Sequence, residues 1–169
     1  LEGRLAREAD IRDAYHLTPA GAARGPDGDL LAFWRDAAGH KLTGRDWHDG
    51  LQDLVDAALA DDVAGVLAAG ADCAKSHGPL AGCVAVMRAV LVADDRAERM
   101  ACMLSDVVLA RTLNWKTILP ISAQGLSKAM LRDLVTNGQG ADLVIQGRLL
   151  TSLVSTIRLA RNLASRAAL

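Results

Sequence analysis

Aromatic residues are scarce: one Phe, one Tyr and three Trp make up 3% of the 169 residues. A sheet built on aromatic and β-branched side chains is therefore disfavoured. Cysteine is scarce too, and Cys73, Cys83 and Cys102 form an odd set with no CxxC pair. That excludes a disulfide framework and a conventional zinc pair, and fits reduced thiols packed as small hydrophobes in a cytoplasmic protein. No excess of either charge exists, the formal net charge being -1, so nothing in the total steers the chain toward nucleic acid. Long apolar runs are missing as well. The longest, residues 80–93, is interrupted by Arg88 and is too short to cross a bilayer, and no charged-then-apolar leader opens the chain. Neither a membrane partner nor a cofactor is expected.

What the chain has in quantity is Ala, Leu and Val, which favour close-packed helices. The expectation is an all-α, single-domain helical bundle over 1–169, with about six to eight helices. A charged helix over 2–15 ends at "HLTP", because Pro19 pushes Thr18 out of helical geometry. A second runs from Asp27 to Gly39, with acids in its first turn and Phe33 and Trp34 to anchor it. Thr43 is placed to cap a third, in which Trp47, Leu51, Leu54, Val55, Ala58 and Leu59 recur at helical spacing. Gly78 and Pro79 end one helix and start the next. That next helix, 80–93, is apolar nearly all round and should be the central one. After it, Asp94 or Asp95 caps a helix with Met100, Met103, Leu104, Val107 and Val108 on one broad face. "KTILPIS" is irregular around Pro120, Ser122 or Ser127 starts a short helix, and Asn137 and Gly138 stop it. From about Ala141 a long C-terminal amphipathic helix places Leu149, Leu150, Leu153, Ile157, Ala160 and Ala164 on one arc, with Arg148, Arg158 and Arg166 on the other.

Several stretches could carry chemistry. "AGAARGPDGD" resembles a phosphate-cradling loop in its glycines. It follows a charged helix instead of a buried strand, however, and lacks the Lys and Ser or Thr such a loop needs, while Pro26 removes a donor. It reads as a connector. In "DWHDG", His48 and Asp49 are adjacent, and His16, His48, Asp49 and Asp106 occur in the order that helical HD-type phosphohydrolases use to hold divalent metals and activate water. The residues flanking the pair are polar, which favours a solvated helix start. Cys73 and His77 share a helix face, but two ligands do not make a zinc site. Arg88, inside the most apolar helix, calls for a carboxylate, with Asp106 the expected partner, the alternatives being a stem that snorkels to water and an anion-binding arginine in a pocket.

Charge is unevenly distributed along the chain. Up to Asp106 there are eleven Lys/Arg against eighteen Asp/Glu, a balance of -7. From Val107 onward eight Lys/Arg face Asp133 and Asp142, a balance of +6. The arginines of the last helix, Arg148, Arg158, Arg161 and Arg166, are thus candidates for contact with DNA phosphates or an acidic protein partner.

At "DIRDAYHLTPAGAARGPDGDLLAFWRDAAG" and "DRAERMACMLSDVVLARTLNWKTILPISAQGL" the chain resembles a family of uncharacterised bacterial proteins, a domain of unknown function. The matching pieces are Arg12 to Ala14, Gly25 to Arg35 and Leu104 to Trp115, with Asn114 standing where the family usually shows Gly. The resemblance implies no catalytic residues. It implies members longer at the N-terminus, so that this chain would be the C-terminal part of a longer protein. It also implies plasmid-borne genes near those of chromosome-segregation-like and helix-turn-helix proteins. The expected function is a non-enzymatic cytoplasmic protein acting through protein contacts or self-association. DNA binding by the C-terminal arginines and metal-dependent phosphohydrolysis are the alternatives.

Overall fold

The computed structural model describes residues 13, 16–19, 22–23, 25–43, 47–52, 54–55 and 62–167. Eight helices and no strand occur among these residues, packed as a bundle. The helix expected over 2–15 falls almost wholly outside them.

Helix α1, Gly25–Gly39, starts two residues earlier than expected, with Pro26 and the acid Asp27 in its first turn. There a missing N–H costs nothing and a carboxylate meets the positive end of the helix. Phe33 and Trp34 meet edge to face, with centroids 5.4 Å apart, and both pack against the core.

Of the helix expected over 44–60, only 47–52 and 54–55 lie among the described residues, and of these Asp49–Gln52 form helix α2, a single turn. The His40 ring donates Nε2–H to the carbonyl of Trp47, and the Leu51 N–H bonds the His48 carbonyl instead. With Leu54 N–H also closing three residues back, on Leu51, the segment tightens into turns while still burying Leu51 and Val55.

Helices α3, Val63–His77, and α4, Pro79–Ala93, form a hairpin about Gly78, whose φ of +95° suits a residue without Cβ. The two backbones approach closely where they cross. A Cβ on Gly82 would lie 2.6 Å from the Gly70 carbonyl oxygen, and one on Gly70 would lie 2.3 Å from Val86.

Helix α4 packs against four others, as its apolar sequence implied, yet Val92 near its end is 67% exposed. The most enclosed helix is the next one, α5, Glu98–Thr112. Every residue from Met100 to Ala110 is buried, where one broad face was expected. The reason is tertiary: α3, α4 and the short α6, Ile121–Gly125, pack on it, and α1 and the turn at Trp47 close over it through Arg99 and Arg111. Before it, Asp94 accepts the Arg96 N–H in a turn, and the helix begins only at Glu98.

Ser127, not Ser122, caps α7, Lys128–Thr136, by accepting the Met130 N–H at 3.3 Å. Asn137 and Gly138 then reverse the chain into α8, Gln139–Ala167, which at 29 residues is the longest helix described. Its apolar arc is only partly used. Ile145 and Leu149 are buried, while Leu150 is 50% exposed and every residue from Ile157 to Ala167 is exposed.

Candidate functional site

Three polar assemblies and one surface are candidates. The first is internal. Asp106, on α5, is 1% exposed and accepts three hydrogen bonds from Ser122 at the start of α6. The Ser122 N–H reaches Oδ1 at 3.0 Å and Oδ2 at 3.2 Å, and its Oγ–H donates to Oδ1 at 2.7 Å. With that hydrogen spent, Ser105 donates to Ser122 Oγ at 2.9 Å. The Cys83 thiol points at the Ser105 carbonyl, 3.5 Å away. Burial pushes the Asp106 carboxyl well above its usual range, against the opposing pull of the Ser122 hydrogen bonds. Burial, with Asp106 next, also raises the Cys83 and Cys102 thiols to about 12. Serine beside aspartate suggests a nucleophile, but Ser105, Asp106 and Ser122 are closed off from water and substrate alike. What the trio does is pin α6 to α5.

The second assembly corrects the expected Arg88 partner. Arg88 does not reach Asp106; its guanidinium forks onto Asp142 in the first turn of α8, with Nη1 at 3.3 Å from Oδ2 and Nη2 on Oδ1. Nε donates to the Leu134 carbonyl at 3.4 Å and Nη2 to that of Gly138 at 3.3 Å. One arginine therefore satisfies carbonyls at the end of α7 and a carboxylate at the start of α8, where each charge is also favoured by its helix end. Sequence could not single out this partner, because Asp142 lies 54 positions from Arg88 and several acids are nearer along the chain.

The third is a pair of clasps that sequence reading missed. Arg111 stacks over Trp47, 4.5 Å from the ring centre, and donates to the Leu42 carbonyl at 2.7 Å. Arg99 lies 4.9 Å over Phe33. Both arginines are on α5 and both aromatic partners are in the N-terminal third.

The four residues considered for metal binding are placed as follows. His48 Nε2 is 3.3 Å from Asp49 Oδ1 and both side chains are well exposed, His16 lies on the surface, and Asp106 is inside the core with Ser122. No three His, Cys, Asp or Glu side chains are grouped to hold a metal ion among the described residues. Cys73 is half-buried and His77 exposed.

The surface candidate is α8. Leu143 (74%), Val144, Leu150, Leu159 and Leu163 are each half exposed or more, and Arg148, Arg158, Arg161 and Arg166 are all exposed around them. Between α7 and α8 lies a cavity of about 240 Å³, with Met130, Val144 and Ile145 beside Asp133 and Asn137. By length and composition α8 is also long and apolar enough to cross a membrane, although the sequence had suggested no such segment. No unbroken apolar run marks α8, because its leucines are spaced between Ser, Thr and Arg.

The family model described as "Protein of unknown function (DUF1403)" matches residues 1–169, the whole of the sequence. The chain belongs to this family. The match confirms the resemblance drawn from Gly25 to Arg35 and Leu104 to Trp115, and in the DUF1403 chain these pieces carry the Phe33 clasp, the Asp106 pin and Arg111. No curated protein and no solved structure matches the chain.

Proposed function

We propose that this chain acts through protein contacts made by α8. The observation that carries the reading is the exposure of Leu143, Leu150, Leu159 and Leu163 on one helix, since a row of large apolar side chains left in water marks a contact surface. The exposed arginines Arg148, Arg158, Arg161 and Arg166, with no acid after Asp142, add that the surface met is acidic or neutral. The buried serine–aspartate trio is sealed and so favours a contact role over catalysis. A cytoplasmic location fits the three unpaired thiols. Light scattering and affinity capture across a salt series test the reading: contacts should weaken with salt and vanish when Leu159 and Leu163 become Ser. A monomer at every salt concentration that captures nothing overturns it.

The exposure of all four arginines favours one second reading, binding of nucleic acid phosphates. Its test is the affinity for duplex DNA after Arg158→Ala and Arg161→Ala. Affinity equal to that of the parent overturns it.

A further inference from the structure

We infer that the groove between α7 and α8 binds a small organic ammonium ion, an amine carrying one compact apolar body. The inference goes beyond the contact role proposed for α8. It uses none of the leucines and arginines on which that reading rests, so either can fail alone.

The groove follows from the corner that the chain makes at Gly138. Met130, Asp133 and Asn137 are spaced by three and four residues and so share one side of α7 and its end. Opposite them stand Gly140, Ala141 and Val144 of α8, and the buried Ile145 closes the base of a cavity of about 240 Å³. Two small residues leave the space open. A Cβ on Gly140 would meet nothing within 4 Å, so the fold has room there for a longer side chain.

The rim offers acceptors without donors. Asn137 spends an amide N–H on Asp133 Oδ1, at 3.3 Å, and no Lys, Arg or His pairs with Asp133 among the described residues. Asp133 Oδ2 and the Asn137 amide oxygen are therefore left without a donor. The helix ends do not decide the sign of the ligand, because the negative end of α7 and the positive end of α8 meet at this corner and oppose each other. Arg88 and Asp142 likewise neutralise one another. Asp133 is the one charged residue lining the cavity, and it selects a cation. Since Oδ1 already takes the Asn137 N–H, a forked guanidinium is less well matched than an ammonium, which points three donors separately.

Volume sets the apolar part. A cavity of about 150 Å³ holds benzene. The space here accommodates a ring with a short arm, against Met130, Val144 and Ile145, and the flexible thioether of Met130 can adjust to its shape.

Titration of the full chain with phenethylammonium chloride, followed by amide NMR shifts at constant ionic strength, tests the site. Saturable shifts confined to residues 130–145 are expected. For so open a cavity the dissociation constant should be on the order of 1 mM. Phenethyl alcohol and phenylpropionate, of similar shape without the positive charge, should bind about tenfold more weakly or worse. Asp133→Asn keeps an acceptor for Asn137 and should cost a similar factor. Gly140→Leu fills the groove and should abolish the shifts with the thermal transition intact. Absence of saturation by every probe overturns the proposal. So does an alcohol or carboxylate bound as tightly as the ammonium, or binding that survives both substitutions. N-acetyllysine methylamide, which presents only a lysine side chain, is the last probe: if it matches phenethylammonium, the groove reads a lysine of a protein partner and the small-amine site is overturned.

Discussion

Asp106 is a carboxylate placed where ionisation is costly and hydrogen bonding is complete. Removing it by Asp106→Ala strands the buried Ser122 N–H, so unfolding in urea should be easier by about 1–3 kcal/mol, the cost of an orphaned buried donor. Its pH dependence has an unusual sign for an aspartate. Because the folded-state value lies above the usual 3.8, the folded chain binds the extra proton, and the associated stability is complete below pH 3.8 and lost as pH rises through the folded value. Asp106→Asn keeps a carbonyl for Ser122 and cannot ionise. Its stability relative to the parent should therefore improve as pH rises from about 4, as denaturant titrations at several pH values would show. The thiols behave differently from one another. Cys83 and Cys102 are buried with values near 12, so a thiol reagent at pH 8 should label the half-buried Cys73 first and those two only on unfolding.

Among the helices, the closest approach and the best-tied corner are the sensitive points. Gly82→Ala gains up to about 1 kcal/mol of helix propensity. The added Cβ would, however, sit 2.6 Å from the Gly70 carbonyl oxygen, a backbone atom that cannot swing aside. Overpacking of this kind costs about 1–3 kcal/mol, so the net effect on the melting transition should be destabilising. At the α7–α8 corner, Arg88→Met keeps the apolar stem and removes the fork. Asp142 and the Leu134 carbonyl then lose their donor, at about 1–3 kcal/mol given that both charged side chains are partly solvated. A double-mutant cycle with Asp142→Asn should show strong coupling, since the second change removes the charge that the first left unpaired.

Across the whole molecule, protection should follow enclosure. Amide hydrogen exchange should be slowest in α5, where buried residues are continuous, and in α4, which packs on it, and among the described residues fastest in 158–167, all of them exposed. The N-terminal third is joined to α5 through the two arginine–aromatic stacks, each worth about 0.5–2 kcal/mol. Arg111→Ala should therefore speed exchange around residues 40–51 while leaving α4 unchanged. The same arrangement explains why α5 is buried from Met100 to Ala110 despite Ser105 and Asp106 in that run: neighbours pack on it from several sides, and each of the two polar side chains has a partner waiting.

Much of this was legible in the residues, and the limits of legibility are physical. The all-α class, the break at Gly78 and Pro79 and the stop at Asn137 and Gly138 depend on backbone geometry and hydrogen bonds within a few residues, so the sequence by itself determined them, whereas it left Ser122 and Ser127 both open as the cap of α7. It also called for a carboxylate beside Arg88, because a charge in an apolar helix is costly to leave unpaired. Which carboxylate was a tertiary matter: Asp142 lies 54 positions away and reaches Arg88 only once α7 and α8 fold back on α4. Likewise, periodicity located the apolar residues of α8 but could not say which of them the body would cover. That depended on how far the neighbouring helices extend, and they reach Ile145 and Leu149 and leave the rest of the arc in water.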